Sequence, residues 1–85
     1  MTIYIPTPLR ELTRRQPLIE GQGDTLADAL NYLDMLHPGL LSCLLDEGAS
    51  LREHVRLLVN SEPVRCLQHS LTPSDEIHIL CGILP

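Results

Sequence analysis

Residues 25–36, which read Thr-Leu-Ala-Asp-Ala-Leu-Asn-Tyr-Leu-Asp-Met-Leu, carry the pattern that decides the fold. Thr25 followed three residues later by Asp28 is typical of a helix N-terminus, because both side chains can pair with backbone amides that lack partners inside the helix. The apolar residues recur at the spacing of a helix buried along one side. That apolar stripe consists of Leu26, Ala29, Leu30, Leu33 and Leu36. The stretch therefore predicts an amphipathic helix that ends before Pro38, since the residue preceding proline disfavours helical dihedrals.

Short segments with strand character lie on both sides of this helix. We predict strands at 3–5, 16–20, 55–59, 63–65 and 76–80, a polar connection at 9–15, and a short second helix at 40–45. Alternation in these strands turns one set of side chains toward the helix. The predicted inward set is Ile3, Ile5, Ile19, Val55, Leu57, Val59, Ile77 and Ile79. This order predicts an α+β β-grasp (ubiquitin-like) roll, with a mixed sheet of four to five strands and one main helix packed across it.

The composition of the 85-residue chain excludes several classes of function. Its formal charge of −5 argues against a nucleic-acid partner, which would need a basic face. All six cationic side chains are arginine, so lysine-dependent chemistry such as Schiff-base catalysis is excluded. The apolar runs are too short to span a membrane, and no signal-peptide pattern is present. We expect one domain over 1–85, located in the cytoplasm, with residues 81–85 as a C-terminal tail.

The three cysteines are too widely spaced to suggest a disulfide framework. Cys66 and His69 have the spacing of metal ligands, and His78 and Cys81 could join them, but one such pair is a weak zinc signal. We therefore expect no bound metal. Cys43 lies among leucines and is expected to be a buried apolar residue. Cys81 precedes the tail, and we weigh a redox or persulfide role there against simple packing at a strand end.

Five segments, taken together, resemble the MoaD/ThiS sulfur-carrier family, especially its CysO-like branch. They are residues 5–13 (IPTPLRELT), 24–30 (DTLADAL), 37–40 (HPGL), 55–62 (VRLLVNSE) and 71–77 (LTPSDEI). The last two are similar to the family patterns V-N-V-Y-V-N-G-E and L-K-D-G-D-E-V. The resemblance extends over nearly the whole chain, and the order of the motifs is more specific than any one of them.

This resemblance implies a protein that carries sulfur and is not itself an enzyme. In the family, a C-terminal Gly-Gly is adenylated by an E1-like enzyme and converted to a thiocarboxylate, which delivers sulfur to molybdopterin, thiamine (thiazole) or cysteine synthesis. The implied partners are thus an E1-like activating enzyme or a sulfur-accepting synthase. The partner enzyme uses ATP, and the carrier itself binds no cofactor.

The C-terminal segment departs from the family pattern. The chain reads Gly82-Ile83-Leu84-Pro85 where the family has a tail ending in Gly-Gly. A terminal proline has a fixed φ and a ring where the family has no side chain, so we expect a Gly-Gly-reading enzyme to adenylate it slowly or not at all. Either the tail was lost and the domain now only binds, or the functional product differs from this chain by truncation or processing.

The alternation of the strands also predicts a partner-binding face on the side of the sheet away from the helix. Its predicted members are Tyr4, Arg56, Leu58, His78 and Leu80. Exposed apolar residues grouped in this way are typical of protein interaction sites. Two hypotheses follow: a sulfur carrier whose only reacting group is its terminal carboxylate, or a β-grasp interaction module that has lost the carrier function.

Overall fold

A computed structural model describes residues 1–48 and 50–81 of the chain. Five strands form one sheet in the order β2-β1-β5-β3-β4, and two helices connect its halves. The strands are β1 (Thr2–Tyr4), β2 (Leu18–Glu20), β3 (Val55–Val59), β4 (Glu62–Pro63) and β5 (Glu76–Cys81). The helices are α1 (Leu26–Leu36), α2 (Leu40–Leu44) and a short 3-10 turn at Thr7–Leu9. This is the predicted β-grasp architecture, with α1 as its main helix.

The first and last strands are neighbours in the middle of the sheet. β1 pairs with β5 in parallel, whereas β1–β2, β3–β5 and β3–β4 pair antiparallel. Several predicted strand limits move by one or two residues. The strand predicted at 3–5 is Thr2–Tyr4, and the one predicted at 16–20 begins only at Leu18.

The prediction of α1 is confirmed, including its N-terminus. The Thr25 hydroxyl accepts a hydrogen bond from the Asp28 backbone amide at 3.2 Å. Four of the five stripe residues are buried, but Leu36 is 45% exposed, so that part of the prediction is wrong. Leu36 is the last residue of the helix and lies at the edge of the stripe, where the helical rotation turns it away from the sheet. The strongest helical pattern in the chain thus positions three turns of aliphatic side chains over the sheet.

The core between α1 and the sheet is aliphatic, because the chain has no Phe or Trp. All eight residues predicted to point inward are buried, each less than 9% exposed. They pack in one cluster with the helix residues and with Leu40 and Leu44 of α2. Ile5 belongs to this core although it lies outside β1, and its amide donates to the Pro17 carbonyl at 2.8 Å. Burial on this scale is the main stabilising term in a domain of this size.

The connection at 9–15 was predicted to be polar, but two of its residues are buried. Leu9 is buried, and Thr13 is fully buried with its hydroxyl within hydrogen-bond distance of the Arg10 and Gln16 carbonyls at 3.2 and 3.0 Å. The Thr13 side chain thus contacts two backbone carbonyls of the same loop and stabilises its conformation. This connection follows β1, so it lies at the end of the sheet where β1 and β5 both terminate.

The Asp34 carboxylate fixes the start of α2, a role the sequence analysis did not assign. Its Oδ1 accepts hydrogen bonds from the amides of Gly39 and Leu41, both at 3.1 Å. Gly39 has a φ of 105°, which a residue with a side chain rarely adopts. Asp34 and Gly39 together turn the chain from α1 into α2.

Side-chain hydrogen bonds link the turn of the β3–β4 hairpin to the turn that precedes β5. Asn60 and Ser61 have φ values of 52° and 74°, the left-handed pair that a two-residue type I′ turn requires. The side-chain nitrogen Nδ2 of Asn60 donates to Asp75 Oδ1 at 2.9 Å, and Asn60 Oδ1 accepts from the Glu76 backbone amide at 3.0 Å. The Asp75 carboxylate also accepts from the Thr72 amide and the Thr72 hydroxyl, both at 2.9 Å. These bonds lower the pKa of Asp75 below its ordinary value of 3.8, led by the bond from the Thr72 amide.

Ser61→Gly is expected to stabilise the protein by about 0.5–1 kcal/mol. A left-handed conformation costs a residue with a side chain roughly 1–2 kcal/mol, which exceeds the roughly 0.5–1 kcal/mol that glycine loses in chain entropy. Urea unfolding at pH 7 measures the change. Ser74→Gly is the matched control, since Ser74 lies outside the left-handed region, and it should destabilise. Equal effects of the two substitutions would contradict this account of the turn.

Asp75→Asn is expected to lower stability near neutral pH and to have a smaller effect in acid. Because the folded-state pKa of Asp75 lies below its unfolded value, its ionised form contributes stability above that value. The contribution is lost as the pH falls from about 4 through the folded-state pKa. Urea unfolding of both proteins at pH 7, 4 and 3 checks this. A difference in unfolding free energy that stays constant over this range would show that the charge of Asp75 does not matter.

Candidate functional site

The predicted partner-binding residues lie on the sheet face opposite the core. They alternate with buried core residues along β1, β3 and β5, so the pleat turns them outward. Leu80 is 46% exposed, Arg56 is exposed, and Tyr4, Leu58 and His78 are half-buried. We call this surface, together with the two residues added below, the outer sheet face.

Strand register brings three of these side chains into one row. His78 on β5 is paired with Tyr4 on β1 and with Leu58 on β3. The rings of Tyr4 and His78 meet edge to face with their centroids 4.2 Å apart. Such a T-shaped contact is a favoured aromatic geometry, and it packs the two rings against each other. The middle of the outer sheet face is therefore a packed, largely apolar strip.

Two further residues extend this row to both edges of the sheet. Leu18 on β2 is paired with Tyr4 and is 50% exposed, and Pro63 on β4 is paired with Leu58. Neither residue was predicted to belong to this face. The signal for Leu18 was present, because it directly precedes the inward residue Ile19. Pro63 was predicted to begin the return strand at 63–65, but its position opposite Leu58 follows only from the pairing of β4 with β3. The complete row crosses all five strands of the sheet.

A second pair lies closer to the end of β5. Leu80 is paired with Arg56 across β5 and β3. The Arg56 guanidinium donates to the Glu53 carbonyl at 2.8 Å. This bond holds the charge near the start of β3. The outer sheet face therefore changes from apolar at its centre to mixed apolar and cationic near the last residues of β5.

The tail itself, Gly82, Ile83, Leu84 and Pro85, lies outside the described residues, so its predicted role stays a prediction. The described part of β5 ends at Cys81, which lines a cleft of about 430 Å³ together with Cys43, Leu9, Arg52 and His54. Cys43 was expected to be buried but is half-buried, because it lies on the side of α2 that borders this cleft. We call this feature the Cys43–Cys81 cleft. It lies where β5 leads into the tail.

The Cys81 thiol is the titratable group nearest to the tail with a shifted pKa. Partial burial raises the pKa of Cys81 above its ordinary value of 9.0, and the negative charge that Cys43 can carry raises it further. Both effects disfavour the thiolate, which is the reactive form of cysteine. At a given pH, a smaller fraction of Cys81 is therefore in the thiolate form than in a fully exposed cysteine.

The four residues considered as metal ligands are not brought together. Cys66 is exposed, and His69 lies beside the start of α1, where its carbonyl accepts from the Leu26 amide at 3.0 Å. His78 lies in the apolar row, and Cys81 lies in the cleft at the end of β5. Within residues 1–48 and 50–81, no three His, Cys, Asp or Glu side chains group as metal ligands. In the same residues no helix has the length and apolar character to cross a membrane.

Comparison with known proteins points to one family. A model of the ThiS family matches residues 3–82. The sulfur carrier protein CysO of Mycobacterium tuberculosis is 32% identical over 88 aligned positions, which cover 98% of this chain and 95% of CysO.

Solved structures agree with this match. The fold superposes on the Amycolatopsis orientalis BexX/CysO complex with a TM-score of 0.92 and 28% identity, covering 99% of this chain and 97% of that one. The M. tuberculosis CysO structure gives 0.90 and 31%, covering 96% of this chain and 98% of that one. SAMP1 from Haloferax volcanii gives 0.78 and 27%, with coverages of 98% and 94%. The chain therefore belongs to the ThiS family of ubiquitin-like sulfur carriers.

Proposed function

We propose that this protein carries sulfur as a C-terminal thiocarboxylate, and that an E1-like activating enzyme binds it through the outer sheet face. The observation that supports the docking part is the row of side chains from Leu18 to Pro63, which crosses the sheet on the side opposite the core. The family match and the CysO relatives favour a carrier over a module that only binds.

The chemistry asked of the carrier is limited to its terminal carboxylate. The partner enzyme binds ATP and transfers its AMP group to the carboxylate, which releases pyrophosphate. A sulfur donor then displaces AMP, so that one carboxylate oxygen is replaced by sulfur. No nucleophile, base or cofactor of the carrier takes part in this scheme, so the protein is not an enzyme by itself. Its contribution is to bind the partner and to present the terminus.

The proposed place of action is the cytoplasm. All three cysteines are free in the structure, and disulfides are rare in reducing compartments. The sulfur acceptor would be a biosynthetic enzyme of the kinds the family serves, in cysteine, thiamine or molybdopterin synthesis.

The carrier proposal predicts a mass gain of about 16 Da when the protein is incubated with ATP, an E1-like activating enzyme from the same organism and a sulfide donor, since one oxygen is exchanged for sulfur. Intact mass spectrometry with fragmentation places the added sulfur. We expect it at the C-terminus of the product isolated from the native host, or of the chain extended by Gly-Gly. We expect little reaction at a terminal Pro85, because its ring occupies the space of a glycine.

The control for this experiment is a Gly-Gly carrier that the same enzyme preparation is known to modify. If that control gains sulfur while the native product and the extended chain both keep their mass, the carrier proposal is wrong.

The docking proposal predicts that Leu18→Asp and Leu80→Asp each weaken binding to the activating enzyme by tenfold or more, roughly 1.4 kcal/mol, because each places a charge in an apolar contact. Both residues are about half exposed, so the substitutions should leave the fold intact. Met35→Asp is the matched control, since Met35 is 69% exposed on α1. Calorimetric titration measures affinity, and circular dichroism checks folding. Equal losses in all three variants would argue against the outer sheet face.

A further inference from the structure

Two of the three cysteines line one cleft at the end of β5. Cys43 is the fourth residue of α2, and Cys81 is the last residue of β5. Both are half-buried, both pack against the core cluster, and both line the Cys43–Cys81 cleft. Cys66 is exposed in a separate segment and does not line this cleft. The cleft is therefore lined by two of the three cysteines, and Cys66 lies elsewhere.

The segment from Arg52 to Val55 links the backbone around Cys43 to that of Cys81. The Arg52 guanidinium donates two hydrogen bonds to the Ser42 carbonyl, from Nε at 3.1 Å and from Nη2 at 2.9 Å. The Arg52 backbone amide donates to the Leu44 carbonyl at 3.0 Å. Three residues later, Val55 is the register partner of Cys81. Residues on both sides of Cys43 are thus tied to the segment that pairs with Cys81.

We propose that Cys43 and Cys81 form a reversible intramolecular disulfide, and that a low-molecular-weight disulfide such as oxidised glutathione is the oxidant. The cleft that both cysteines line is open to solvent, so a small oxidant can enter it. Transient disulfides of this kind are the ones found in reducing compartments.

The reaction consists of two thiol–disulfide exchanges. One protein thiol loses its proton, and the thiolate attacks a sulfur atom of the oxidant, which releases one small thiol and leaves a mixed disulfide. The second protein thiol loses its proton and attacks the protein sulfur of that mixed disulfide, which releases the second small thiol. The two cysteines are oxidised by two electrons, and the small disulfide is reduced to two thiols. Excess reduced thiol reverses both steps.

The disulfide would join α2 to the residue that directly precedes Gly82. The effect of this bond on activation rests on the carrier function proposed above. The terminus must enter a partner's active site, and in the oxidised protein it would start from a strand end that is covalently bonded to α2. We expect the oxidised protein to be converted to its thiocarboxylate at least fivefold more slowly than the reduced protein.

The first test uses the full chain with Cys66→Ser, which removes the separate thiol. After incubation with oxidised glutathione we expect a loss of about 2 Da, protection of both remaining cysteines from iodoacetamide, and full reversal by dithiothreitol. Peptide mapping should recover a cross-link between the peptides of Cys43 and Cys81. Gains of about 305 Da per thiol, or two thiols that still react with iodoacetamide, would overturn the proposal.

The single-thiol proteins C43S/C66S and C66S/C81S are the matched controls. Each has no resolving cysteine, so each should stop at one glutathione adduct. The result in the Cys66→Ser protein decides the proposal even where a control variant fails to fold, because mass and cross-link are measured on that protein alone.

The second test compares thiocarboxylate formation by the oxidised and reduced Cys66→Ser proteins, each with a tail that the activating enzyme accepts. Equal rates with the disulfide formed would overturn the effect on activation. No reaction in either state would instead contradict the carrier function, while the mass measurement would still decide whether the disulfide forms.

Discussion

The parallel pairing of β1 with β5 brings the first and last strands of the chain side by side in the centre of the sheet. Because parallel strands point the same way, the loop that follows β1 and the chain that follows β5 leave the sheet at the same end. β3 runs antiparallel to β5, so the segment that leads into β3 lies at that end as well. The end of the sheet that carries the Cys43–Cys81 cleft is therefore formed by segments far apart in sequence. The pairing of β1 with β5 brings these segments together.

The same pairing determines the outer sheet face. Since β5 is bordered by β1 and β3, His78 has a register partner on each side, Tyr4 and Leu58. A shift of one residue in the register would turn these side chains toward α1 and would expose Ile77 and Ile79. The buried isoleucines thus fix the composition of the exposed face, and the core that stabilises the fold also specifies the surface proposed for binding.

Local patterns in the sequence were sufficient for most of the fold. The capped stripe of α1 and the inward residues of the strands were predicted correctly because each depends on spacing within one element. The predictions failed where a neighbouring element decides. Leu36 falls at the end of its helix, and Thr13 is buried by its own loop. The return strand predicted at 63–65 is found at Glu62–Pro63, because its limits depend on pairing with β3. The placement of Cys43 and Cys81 in one cleft could not be predicted for the same reason, since 37 residues and two strands, β3 and β4, lie between them.

Binding and chemistry are proposed to use different parts of this molecule, and that separation accounts for the pattern of its resemblance to the family. The apolar row lies at the centre of the sheet and is fixed by strand register, whereas the reacting carboxylate would belong to the chain beyond β5. The family match covers residues 3–82, whereas Ile83-Leu84-Pro85 departs from the Gly-Gly pattern expected of the tail. The Cys43–Cys81 cleft lies between the two parts. A bond formed there would leave the row untouched and act only on the start of the tail, so the redox state of these thiols could change reactivity without changing recognition.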